Sequence, residues 1–184
     1  MPRGIHGSIQ PSPSPFGRRP SLYELTATAH LPRPREEVFD FFADAANLEA
    51  ITPPWLGFRI LTPMPIEMES ETILEYRLRL RGIPIRWRTR IGAWDPPLRF
   101  TDSQERGPYR LWNHEHRFEE EAGGTRMTDR VLYNLFPVPF VHRVLVAPEL
   151  RRIFRYRAEV VHRIFGGTPA SPNSPEDVVI RRLA

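Results

Sequence analysis

The stretch LWNHEHRF, residues 111–118, sets His114 and His116 on either side of Glu115. Imidazoles at this spacing suit three kinds of chemistry: holding a metal ion, moving a proton, or hydrogen-bonding the polar end of a bound molecule. The direction of the side chains decides between them. Read as a β-strand, the stretch places Trp112, His114, His116 and Phe118 on one face and Asn113, Glu115, Arg117 and Glu119 on the other. Trp and Phe mark the first face as buried, so both histidines point inward and Glu115 points to water. On the following run, TRMTDRVLYN, the inward parity falls on Met127, Asp129, Val131 and Tyr133. A tight turn at EAGG then sets Asp129 opposite His114 or His116, according to register. A carboxylate among Met, Val and aromatic side chains requires such a partner, because an unpaired buried charge costs several kcal/mol.

Three uses of the trio His114, His116 and Asp129 stay open. It can be a satisfied polar cluster that orients its neighbours. It can anchor a carbonyl, hydroxyl or carboxylate of a bound molecule. It can also run acid–base catalysis, with one histidine as general base, Asp129 orienting it, and Tyr76 or Tyr133 donating to a developing enolate. The spacing of His114, His116 and Glu120 resembles the first cupin metal motif, and two imidazoles with a carboxylate can form a facial triad. A cupin needs a further histidine from a later strand, however, and His142 and His162 lie in or near the terminal helical region. Neither a metal nor another cofactor is therefore expected. With no cysteine there is no thiolate nucleophile and no Cys-based metal site, and no nucleophile elbow, phosphate loop or dinucleotide fingerprint occurs.

The elements that position the trio are mostly strands. SLYELTATAH alternates as an opening strand, and PRPREEVFDFFAD follows as a short amphipathic helix. In that helix Pro34 suits the first position, Glu36 and Glu37 face the positive end of the dipole, and Val38, Phe41 and Phe42 form the apolar stripe. Asp44 is placed to cap a second short helix, which Pro53 and Pro54 stop. In ETILEYRLRLRGIPIRWRTRIGAW the period of two puts Leu74, Tyr76, Leu78, Leu80, Ile85, Trp87, Thr89 and Ile91 inward, with a hairpin turn near Gly82. Further strands follow through PLRFTDSQ, PYRLWNHEHRFEE and TRMTDRVLYNLF. One long helix then starts near Pro148, carries Leu150, Ile153, Phe154, Val161 and Ile164 as a stripe, and ends at Gly166. The order predicts an α+β fold. A curved antiparallel sheet of about six to seven strands wraps a long C-terminal helix, with two short helices after the first strand. One helix cannot fill such a concavity, so a cavity is expected between helix and sheet. Its lining is predicted to include Tyr76, Leu78, Trp87, Trp112, His114, His116, Asp129, Tyr133 and Phe154, with Trp55 as a lid or packing residue.

The chain of 184 residues reads as one domain over 21–165, between Pro- and Ser-rich tails at 1–20 and 166–184. All 26 basic residues are Arg and the net charge is only +4, so nucleic acid is not the expected partner. Arg77, Arg79, Arg81, Arg86, Arg88 and Arg90 share the outward face of the hairpin. They predict either a solvated face with nearby Glu71, Glu75, Glu115 and Glu119, or peripheral attraction to anionic lipid. No run of about 18 apolar residues and no signal-peptide core occurs, so the expectation is a cytoplasmic monomer or homodimer.

Taken together, NLEAITPPWLGFRIL, LRLRGIPIRWRTRI, GPYRLWNHEHRFEE and GGTRMTDRVLYNL resemble the START-like, helix-grip superfamily. The nearest likeness is to its bacterial polyketide cyclase/dehydrase-like branch, over roughly residues 21–165. The resemblance implies a hydrophobic small-molecule pocket under the C-terminal helix and a role in binding, storing or carrying a lipid, quinone or polyketide-like molecule. A cyclase or dehydratase using the same trio is the alternative, and an assembly role without ligand a third. The segment FPVPFVHRVLVAPEL departs from the branch, with prolines where a glycine-containing turn into the helix is expected.

Overall fold

The structure is a computed structural model, and it describes residues 21–134, 139–171 and 177–183. The stretch 1–20 expected as a tail lies outside the described residues. Among the described residues eight strands form one antiparallel sheet in the order β2-β3-β4-β5-β6-β7-β1-β8. They are β1 (Leu22–Leu31), β2 (Arg59–Ile60), β3 (Ile73–Leu80), β4 (Ile83–Asp95), β5 (Arg99–Arg106), β6 (Leu111–Glu121), β7 (Gly124–Asn134) and β8 (Val179–Arg182). The helices are α1 (Arg35–Ala43), the short turn α2 (Pro139–Val141) and α3 (Ala147–Phe165). Alternating apolar residues bury one sheet face under α1 and α3, which is the helix-grip arrangement expected of the α+β pattern.

The local chemistry of the turns sets the registers that matter. Leu80 pairs with Ile83, leaving Arg81 and Gly82 as a two-residue hairpin turn. Both have positive φ, 51° and 84°, as the primed turn matching strand twist demands. Glu121 pairs with Gly124 across an equally tight turn, and this fixes His116 opposite Asp129 and Trp112 opposite Tyr133. Asp44 caps the 3₁₀ segment Ala45–Leu48 by accepting from the Ala46 N–H at 2.8 Å.

Four expectations need correction. The sheet has eight strands because a two-residue strand, β2, pairs with β3, and because β8 adds to the free edge of β1. The C-terminal region is therefore not one tail. Val178 is buried, and Asp177 takes two hydrogen bonds from the Arg155 guanidinium on α3, at 2.9 and 2.5 Å. The Pro/Ser-rich composition at its start obscured the β-branched run that follows. On α3, Phe165 is buried where Ile164 is 42% exposed, because the 3.6-residue period running through Phe154 and Val161 reaches position 165. On α1, Phe39 joins Val38 and Phe42 in the core, its ring 5.4–6.0 Å from Phe118, Trp94 and Phe100. Phe41 is only half-buried, against Phe165.

Between β7 and α3, α2 and a π-helical turn (His142–Val146) take the place of the glycine turn. His142 anchors this link, stacked on Tyr23 at 3.5 Å and 2.8 Å from the Tyr133 hydroxyl.

Candidate functional site

Between α3 and the sheet lies a cavity of about 170 Å³. Its walls come from β3 and β4 (Leu74, Tyr76, Leu78, Trp87), from a second 3₁₀ turn, Pro54–Leu56, and the residues just after it (Leu56, Phe58), and from α3 (Leu150, Ile153, Phe154). Strand parity supplies the sheet residues and the helical stripe supplies the others. Polar groups are few: Asp102, His114, His116 and Arg157, with Thr52, Thr89 and the tyrosines Tyr76 and Tyr109.

Asp102, His114, His116 and Asp129, on neighbouring strands, and Arg157 of α3 form a buried network. Asp102 of β5 pairs across with His114, and His116 of β6 with Asp129. His114 Nε2 lies 3.0 Å and His116 Nδ1 2.7 Å from the same oxygen, Asp129 Oδ1. On the cavity side, His114 Nδ1 and His116 Nε2 lie 3.3 and 3.1 Å from Asp102 Oδ2. Arg157 Nε approaches Asp129 Oδ2 at 3.3 Å. Its Nη2 also lies 3.4 Å from His116 Nδ1.

Burial by itself would lower the pKa of His114, but Asp102 and Asp129 on either side outweigh it and push the imidazole up to about 8. Desolvation opposes ionisation of Asp102 too, yet the two histidines hold its carboxyl well below the usual range. Asp129 is likewise held low against its own burial, by Arg157 first and then by the histidines. Tyr76 is raised well above its ordinary value by burial and then by the Asp102 charge, so its hydroxyl stays neutral and able to donate. The indole N–H of Trp87 is buried without a hydrogen-bond partner among the described residues.

Of the residues expected in the pocket, Tyr76, Leu78, Trp87, Trp112, His114, His116 and Phe154 line the cavity. Asp129 sits one layer behind, against α3. Two further residues also stand outside the lining. Tyr133 is fully buried but lies outside the cavity lining, its hydroxyl engaged by His142. Trp55, 37% exposed, lies on the outside of α3 under the Arg152 guanidinium, 3.8 Å away, and beside Tyr156. Glu120, the carboxylate of the cupin-like spacing, points off the sheet and pairs with Arg35 at 3.0 Å. Two central residues went unread in the sequence, Asp102 and Arg157. Asp102 shares strand parity with the inward Phe100, and Arg157 falls between Phe154 and Val161 on the buried stripe. Among the described residues, Asp102, His114 and His116 are also the trio that brings three potential metal-ligand atoms within 4.8 Å of one another.

Outside the cavity, the basic hairpin face is partly compensated. Arg88 pairs with Glu75 and Glu105, and Arg90 with Glu71 and Glu105. Arg77, Arg79, Arg81 and Arg86 are exposed.

A family model described as polyketide cyclase / dehydrase and lipid transport matches residues 31–158, the span from the end of β1 through most of α3. The chain belongs to this family. Its fold recurs in protein Ms6760 of Mycobacterium smegmatis, at TM-score 0.58 and 17% identity over 77% of this chain and 89% of that one. Protein CV1439 of Chromobacterium violaceum superposes at TM-score 0.62 and 10% identity, covering 79% and 98% of the two chains. Ginseng major latex-like protein 151 from Panax ginseng gives 0.61 and 9%, again over 79% and 98%. At these identities the likeness is one of fold. No curated protein matches in sequence. Family and fold together associate the chain with binding of small hydrophobic molecules, and among the described residues no helix is long and apolar enough to cross a membrane.

Proposed function

We propose that the chain binds, stores or carries a small hydrophobic molecule of lipid, quinone or polyketide type in the cavity under α3. The observation that carries this reading is the segregation of the cavity's chemistry: apolar and aromatic walls, with charge confined to the Asp102–His114–His116–Arg157 end. The space of about 170 Å³ compares with cavities of about 150 Å³ that take up benzene. It therefore suits one ring or a compact chain. The Tyr76 hydroxyl, the Trp87 indole and Arg157 supply donors for a carbonyl, hydroxyl or carboxylate at its polar end. Organic extraction of freshly purified protein should release such a molecule, and His116→Ala should weaken its rebinding without altering any turnover. An extract free of organic ligand, together with no uptake of ring-sized quinones, phenols or short acyl compounds, would sink the reading.

A second reading, acid–base catalysis of cyclase or dehydratase type, is favoured by one observation. His114 lines the cavity in protonated form near neutral pH, where it can deliver a proton to a developing oxyanion. Turnover of a bound compound that vanishes in His114→Gln while binding persists would select it. Loading from an anionic membrane through Arg77, Arg79, Arg81 and Arg86 is part of the proposal. Vesicle binding that is present at low salt and lost at high salt is expected, and its absence at low salt would remove that part.

A further inference from the structure

We propose that Asp102, His114 and His116 form a site for one divalent first-row transition-metal ion, bound through Asp102 Oδ2, His114 Nδ1 and His116 Nε2 with its open positions facing the cavity. Three features of the geometry support it. First, two ring nitrogens converge on a single carboxylate oxygen, at 3.3 and 3.1 Å. Among the described residues the second oxygen, Oδ1, has only the Thr89 hydroxyl, at 3.4 Å, and that hydroxyl already donates to the Ser103 carbonyl at 3.0 Å. Charge-assisted hydrogen bonds shorten to about 2.7–2.9 Å. Atoms coordinating one ion at about 2.0–2.2 Å stand about 3.0–3.5 Å apart, which is the spacing from that oxygen to each nitrogen, and all three atoms lie within 4.8 Å of one another.

Second, the outer nitrogen of one ring, His114 Nε2, is hydrogen-bonded to Asp129 Oδ1 at 3.0 Å, and His116 Nδ1 stands 2.7 Å from the same oxygen with Arg157 Nη2 at 3.4 Å. Asp129 is itself held by Arg157. A carboxylate that accepts the remote N–H of each ligating imidazole fixes tautomer and ring orientation, and it turns the other nitrogen's lone pair toward the metal. Buried Asp129 does this for His114. Third, all three donors line the cavity, so a bound ion is reachable and keeps positions for an exogenous oxygen ligand. Two imidazoles and one carboxylate favour Zn²⁺, Fe²⁺ or Co²⁺ over Mg²⁺ and Ca²⁺, which prefer oxygen cages. The cupin-like spacing is thus half right: its two histidines take part, and its glutamate is replaced by an aspartate from the neighbouring strand.

The site stands apart from the ligand-binding reading, since the metal is titrated alone. Chelator-treated full-length protein should bind one Co²⁺ or Zn²⁺ per chain, read by calorimetry and by the visible bands of nitrogen-ligated Co²⁺. Mg²⁺ should give no heat. Asp102→Ala, Asp102→Asn and His116→Gln should each weaken binding at least about 100-fold, and Asp129→Asn about 10–100-fold. Glu120→Ala, at the discarded position, should leave binding unchanged. Circular dichroism separates misfolded variants, and the wild-type titration needs no variant at all. Failure of the wild-type protein to bind Co²⁺ and Zn²⁺, or full-strength binding in folded Asp102→Ala or Asp102→Asn, would overturn the proposal. Neither result would touch organic ligand binding.

Discussion

At the scale of residues, the buried network sets the predictions. Asp129 balances two imidazoles and a guanidinium, so Asp129→Ala leaves cationic groups unpartnered in the core. Breaking a buried pair from one side costs about 3–5 kcal/mol, and chemical denaturation should show a loss of that order. A loss below about 1 kcal/mol would mean that the network carries little of the fold's stability. In the metal-free protein His114 titrates near 8, against about 6.5 when unfolded. Its contribution is therefore fully present below about pH 6.5 and is lost as pH rises through about 8. Asp102 and Asp129 are depressed, so theirs is present above the unfolded value of about 3.9 and is lost as pH falls below it. Melting temperature should peak between these limits and fall on the alkaline side, and His114→Gln should flatten that limb. A melting temperature still rising from pH 6.5 to 8.5 would contradict the protonated state. The histidines and Asp129 were legible because one parity rule, applied to two strands joined by a tight turn, aims all three inward. Asp102 and Arg157 were not, because charge on a strand or helix ordinarily signals a solvated face. Only the burial of Phe100, Phe154 and Val161 around them reverses that reading.

At the scale of elements, hydrophobic period and turn chemistry place the strands, α1 and α3 without reference to tertiary structure. What they leave unsettled is pairing at the sheet edges, where short segments such as β2 and β8 gain definition only from a neighbour. Val179 and Ile180 look unremarkable after a Pro/Ser-rich stretch. They become a strand because β1 offers an open edge and Arg155 holds Asp177 beside it. Truncation after Gly167 should therefore lower the melting temperature by several degrees, and Asp177→Ala should reproduce part of that drop. Unchanged melting in both would make β8 a passive addition. Gly124 tests the turn that sets the site's register. A Cβ there would come within 2.0 Å of the Leu31 carbonyl oxygen, a backbone atom that cannot step aside. Gly124→Ala should destabilise the fold by about 2 kcal/mol or more and disturb the pairing of His116 with Asp129. Wild-type stability in that variant would refute the close approach.

At the scale of the whole molecule, a curved sheet closing on one long helix leaves a space that neither element fills, and its charge is gathered at one end. Trp87 and Trp112 line this space, whereas Trp55 lies beneath Arg152 and Trp94 packs on Phe39 and Phe100. Ligand entry should therefore change fluorescence through the first pair. The change should persist in Trp55→Phe and diminish in Trp87→Phe. The most direct test of the cavity as a small-molecule site is native mass spectrometry of freshly purified full-length protein beside a Phe154→Trp variant that fills the cavity. The wild-type chain should carry a discrete organic mass, or take one up from added ring-sized hydrophobic compounds, and the folded variant should not. A wild-type chain that stays at its bare mass throughout, or a filled variant that binds equally well, would contradict the account.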